Sequence, residues 1–149
     1  MPDAVHTVTV EFGEPEHGWL SVTFRVDDFF LKLDASGIPV NPLEALVEAL
    51  AVVAVGSSAS VSWFLEPAEC CFNFENQLSS ISLTITEKAN RGQVPAHLFQ
   101  FTGSVKELLI PFYEALKQFT AHSYSEAHWP KLTNARVARL GQLLQERLT

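Results

Sequence analysis

Over residues 59–103, apolar side chains fall on every second position in four successive segments, and turn residues separate the segments. A period of two is what a half-buried strand requires, because successive side chains leave a strand on opposite faces. The stretch therefore predicts a β-meander. Val61, Trp63 and Leu65 mark one face of the first segment against Ser60, Ser62 and Glu66, with Phe64 breaking the alternation. Phe72 and Phe74 oppose Cys71, Asn73 and Glu75 in the second. In the third, Ile81, Leu83 and Ile85 alternate with Ser80, Ser82, Thr84 and Thr86, small hydroxyls that suit a solvated sheet face. The fourth sets Phe99 and Phe101 against Leu98, Gln100 and Thr102. Turns are expected at 66–69 with Pro67, at 76–78, and at 88–95 with Asn90, Arg91 and Gly92. An aromatic-rich face cannot remain in water, so another layer must cover it, and helices elsewhere in the chain are the expected cover.

Upstream, residues 6–12 and 19–26 alternate in the same way around a turn at 13–18 and predict a hairpin; residues 29–33 predict a third, shorter strand before a turn at 34–39. Asn41-Pro42-Leu43-Glu44 then orders a capping side chain, a proline preset for the first helical position and a first-turn acid. A helix should begin there, bury Leu43, Leu46, Val47, Leu50, Val53 and Ala54 against the sheet, and stop near Gly56. Downstream, Ser104 and Glu107 form a capping-box pattern that opens a second helix with the stripe Leu108, Leu109, Phe112, Leu116 and Phe119. Pro111 lies far enough inside to predict a kink or a restart. Residues 120–131 read as irregular, and Thr133 or Asn134 is placed to cap a last helix in which Val137, Leu140, Leu144 and Leu148 recur on one side, with Arg136, Arg139 and Arg147 turned to solvent or acidic neighbours. The layout is α+β: one domain spanning 1–149, a largely antiparallel sheet of six to seven strands in the order ββ(β)αββββαα, and helices packed on one face.

A 149-residue chain with 47% hydrophobic content and eleven Phe has ample material for one buried core. No apolar run approaches the roughly 20 residues of a membrane span, and residues 1–10 lack the layout of a signal peptide, so a cytoplasmic location without membrane contact is expected. Cys70 and Cys71 are adjacent, where only a strained vicinal disulfide would join them, and a reduced pair is expected. The charge is uneven. Through Asn90, thirteen acids face three bases (−10), and from Arg91 four acids face seven bases (+3), which together give the net −7. That acidic part disfavours nucleic acid and would steer a basic protein partner toward it.

Catalytic spacings are missing. His122 and His128 stand six apart with Glu126 between them, not at the helical spacing that lets two imidazoles share an ion, and no CxxC pair occurs. Ser57, Ser58 and Ser60 follow Gly56 without the second glycine of a nucleophile elbow, and no phosphate-cradling glycine run is present. No catalytic residue, metal ligand or cofactor is assigned. The acidic turn residues Asp27, Asp28, Glu66 and Glu69 are the partner-binding candidates, together with Trp129, which sits beside Pro130 in the irregular segment and is expected at the surface.

The Trp63-Phe64-Leu65-Glu66-Pro67 stretch, followed by an alternating strand and then by Phe99-Gln100-Phe101-Thr102-Gly103 leading to a helix with Phe112 and Leu116, resembles the layout of small bacterial proteins, some of them similar to immunity proteins of polymorphic toxin systems. What the resemblance implies is a cytoplasmic binding protein that occupies a toxin's active face, with no residue-level role carried over. Two further readings stand beside it. One is a small-ligand binder or enzyme with a pocket between sheet and helices. The other is self-association through an exposed strand edge or the last helix.

Overall fold

The computed structural model describes residues 7–38, 40–77, 79–90 and 92–148. The His6 start of the first predicted strand, most of the N-terminal stretch weighed as a signal segment, and Pro39, Leu78 and Arg91 of the predicted turns lie outside the described residues.

Seven strands follow one another across the sheet in chain order, each antiparallel to the next: β1 (Val8–Phe12), β2 (Trp19–Val26), β3 (Phe29–Ser36), β4 (Ala59–Phe64), β5 (Glu69–Asn76), β6 (Ile81–Lys88) and β7 (Ala96–Gly103). The period-two pattern sets the faces. Val61, Trp63, Phe72, Phe74, Ile81, Leu83 and Ile85 are buried, as are Val10, Leu20, Val22, Phe24 and Leu33 of the first three strands. β3 is longer than its sequence pattern predicts and pairs along its whole length with β2, from Phe29 opposite Val26 to Ser36 opposite Trp19. A register shift between Ile85 and Thr86 bulges β7 at Leu98.

Helix α1 (Pro42–Ala54) leaves β3 and returns to β4, with Asn41 Oδ1 accepting from the Leu43 amide at 3.0 Å as the cap motif predicts. Leu43, Leu46, Leu50 and Val53 are fully buried, and the helix lies on β4 and β5. Helix α2 (Val105–Ala121) opens on the Ser104–Glu107 capping box, both of whose hydrogen bonds measure 3.1 Å. It does not restart at Pro111. Leu108, Leu109, Phe112 and Leu116 are buried on both sides of the proline, and that burial offsets an interior-proline penalty of about 3 kcal/mol. Helix α3 (Asn134–Leu148) begins after Thr133, whose carbonyl accepts from the Arg136 and Val137 amides, and packs on α1 and α2.

The cover over the meander is only partly helical. Phe24 of β2 and Phe72 of β5 stand three strand spacings apart, about 14 Å in a flat sheet, yet their ring centroids are 5.7 Å apart. Phe12 reaches Trp63 at 6.4 Å, and Phe29 stacks on Phe99 at 4.0 Å. The sheet therefore curls until the inner faces of β1–β3 and β4–β7 meet. The bend falls at the β3/β4 seam, where the ladder consists of the Ser36–Phe64 pair and α1 intervenes in the chain. Phe112 of α2 fills the remaining space against Phe24, Phe72 and Phe74.

Candidate functional site

The acidic turn residues do not converge. Asp27 and Asp28 are exposed in the two-residue turn closed by the Val26–Phe29 pair, with Asp27 in the left-handed region at φ 52°. Glu66 is exposed in the turn between β4 and β5, where the Ser36 hydroxyl donates to Oε1 at 3.5 Å, and the Glu69 carboxylate lies 3.9 Å from Lys88 Nζ. Ser36 and Phe29 are opposite ends of β3, so roughly 23 Å of strand separates the two acidic pairs.

Trp129, expected at the surface, is instead fully buried. Its ring closes over Gly37, at which an added Cβ would lie 3.4 Å from the indole. The segment around it is pinned from both sides. The Gly18 amide donates to the His128 carbonyl at 2.6 Å, the His17 amide donates to His128 Nδ1 at 2.9 Å, and Tyr124 Oη donates to the Pro130 carbonyl and accepts from the Leu132 amide, each at 3.1 Å. Gly18 makes this possible with φ +83°, a left-handed conformation open to glycine, which also turns its carbonyl to the Gly37 amide. A Trp in an irregular segment gave no periodicity from which this docking could be read.

At the Ser36 end of β3 the fold gathers acids that sequence reasoning did not single out. The turn between β1 and β2 carries exposed Glu14 and Glu16 beyond exposed Glu11 of β1, and Trp19, Ser36, Phe64 and Glu69 follow in register across the neighbouring strands. Between that turn and the C-terminal end of α2 lies a surface hollow of about 390 Å³. Phe12, Phe119 and Tyr124 give it aromatic walls, with Phe12 edge-on to Phe119 at 6.2 Å and Phe119 against Tyr124 at 4.9 Å. Glu11, Glu14 and His122 line it too, and among the described residues neither glutamate forms an ion pair. The available sequence signal was Glu11-Phe12-Gly13-Glu14 together with a second helix lacking a basic residue in its last turn.

Other features are less suited to chemistry. Among the described residues, no cluster of His, Cys, Asp and Glu could hold a metal ion. Cys70 and Cys71 are free and point to opposite faces of β5; burial, then Glu87 and Cys71, pushes the Cys70 thiol up from 9.0 to about 12, and burial also raises Cys71. Both are poor nucleophiles at neutral pH, because the thiolate is the reactive form. The space between sheet and α2 is occupied by Phe24, Phe72, Phe74 and Phe112. No helix among the described residues is long and apolar enough to cross a membrane.

Comparison with known proteins finds no matching family model, no matching curated protein and no matching solved structure. The functional reading therefore rests on the chain's own geometry.

Proposed function

We propose that this protein is a non-catalytic interaction module of the cytoplasm, immunity-like in kind, that meets a basic protein partner through its acidic N-terminal part. The observation that carries the reading is the grouping of Glu14, Glu16 and Glu66 on the exposed rim at the Ser36 end of β3, with Glu11 farther along β1. Several like charges on one rim raise the local potential and guide an oppositely charged surface during encounter. Packed rings where a ligand chamber would have to lie are the reason an interaction role is preferred to a small-molecule pocket.

The test is co-expression with the polypeptide encoded beside this chain in its genome. A complex that survives purification with the wild type and is lost with the triple variant Glu14→Gln/Glu16→Gln/Glu66→Gln is the expected result. A complex that the triple variant retains at unchanged affinity would remove the rim from the interface.

A further inference from the structure

We propose that the hollow between the β1–β2 turn and the end of α2 is an anchor pocket for one arginine side chain of the partner; this rests on the interaction reading above. The walls and the mouth ask for different properties in one group. Phe12, Phe119 and Tyr124 present ring surface, and a planar, weakly hydrated guanidinium lies against such rings better than a compact ammonium does. Glu14 of the turn and Glu11, on the face of β1 opposite Phe12, are the acids of its lining, and a carboxylate accepts the guanidinium's fork of donors. Tyr124 is a fixed wall, because its hydroxyl is held by Pro130 and Leu132.

The helix end adds a third, separate attraction. α2 delivers Gln118, Phe119 and His122 to the hollow, and a helix C-terminus carries partial negative charge. The same chain shows what such an end accepts. At the C-terminus of α1, Arg147 donates from one guanidinium nitrogen to the Val53 and Ala54 carbonyls at 3.3 and 3.0 Å, and from another to Asn76 Oδ1 at 3.0 Å. α2 has no basic residue in its last turn, and its Lys117, Gln118 and Phe119 carbonyls are met from within the chain. Thr120 Oγ1 donates to Lys117, the His122 amide donates to Phe119, and His122 Nδ1 lies 2.8 Å from the Gln118 carbonyl. A guanidinium seated in the hollow would meet the partial negative charge of this helix end, as Arg147 does at α1, with glutamates in place of Asn76.

The experiment titrates hexa-arginine into the ¹⁵N-labelled full chain, with a hexa-citrulline peptide as the uncharged control. Amide shifts concentrated at residues 11–14 and 118–124 are expected, absent with citrulline, and Glu11→Gln/Glu14→Gln should weaken binding about tenfold or more while Asp28→Asn changes it less than about twofold. Dispersed spectra of the unliganded variants establish that they fold, and the two single variants carry the comparison should the double one not. Equal weakening by Asp28→Asn, or shifts spread over all the acidic turns, overturns the anchor pocket and leaves the acidic-surface reading standing. No binding of hexa-arginine to the wild type overturns both.

Discussion

Trp129 and Trp19 show how little residue type alone says about position. Both are tryptophans beside turn residues, yet the first is fully buried and the second 40% exposed. Trp129→Ala is expected to cost about 3–5 kcal/mol of stability in urea unfolding, as large-to-small core changes do. Trp19→Ala should cost about 1 kcal/mol or less. Trp129 Nε1 has no acceptor among the described residues, so Trp129→Phe keeps most of the packing, removes an unsatisfied donor, and should lose far less than the alanine variant. Cys70 offers a prediction with a definite sign. With its thiol moved from 9.0 to about 12, the folded chain keeps a proton that the unfolded chain releases, so stability falls as pH rises from 9.0 towards about 12 and is unaffected below that window. Urea midpoints at about pH 8 and about pH 10.5 should differ more in the wild type than in Cys70→Ala.

Elements were legible in the sequence wherever a local rule sufficed. Asn41-Pro42 and Ser104-Glu107 started the two helices where their side chains cap them, and period two marked the inward face of β4, β5 and β6. Contacts between elements were not legible. Arg147 read as a solvent-facing or acid-facing residue, but it closes the end of α1, about ninety residues earlier in the chain. Arg147→Ala removes charge-assisted hydrogen bonds to two carbonyls and Asn76 and should cost about 2 kcal/mol, with Arg147→Lys recovering only part because one ammonium cannot reproduce the fork. Gly141 marks a second such contact. A Cβ there would collide with the Tyr113 hydroxyl and stand 2.7 Å from its ring carbon Cζ, so α3 approaches α2 through the gap glycine leaves. Gly141→Ala should destabilise by about 1–2 kcal/mol despite alanine's better helix propensity, and a double-mutant cycle with Tyr113→Ala should return most of that loss.

For the whole molecule, the curl of the sheet is the feature that local pattern could not supply. Alternation sorted the phenylalanines to one side of each strand, but the pairing of Phe24 with Phe72 and of Phe29 with Phe99 depends on a bend at a seam joined by one residue pair. The curl leaves the acidic candidates divided, with Asp27 and Asp28 at one end of β3 and Glu66 at the other, and it brings Glu11 and Glu14 to the hollow beside α2. The −10 balance of the first ninety residues was readable from composition; the placing of Glu14, Glu16 and Glu66 together on one rim was not. If that rim guides a basic partner, screening must weaken the contact, since exposed charges lose their reach as the Debye length falls from about 14 Å to about 4 Å between roughly 0.05 and 0.5 M salt. The direct measurement is calorimetric affinity for the neighbour-encoded polypeptide across that salt range. A fall of about tenfold or more is predicted, and an affinity that salt leaves unchanged would contradict an acidic rim as the working surface.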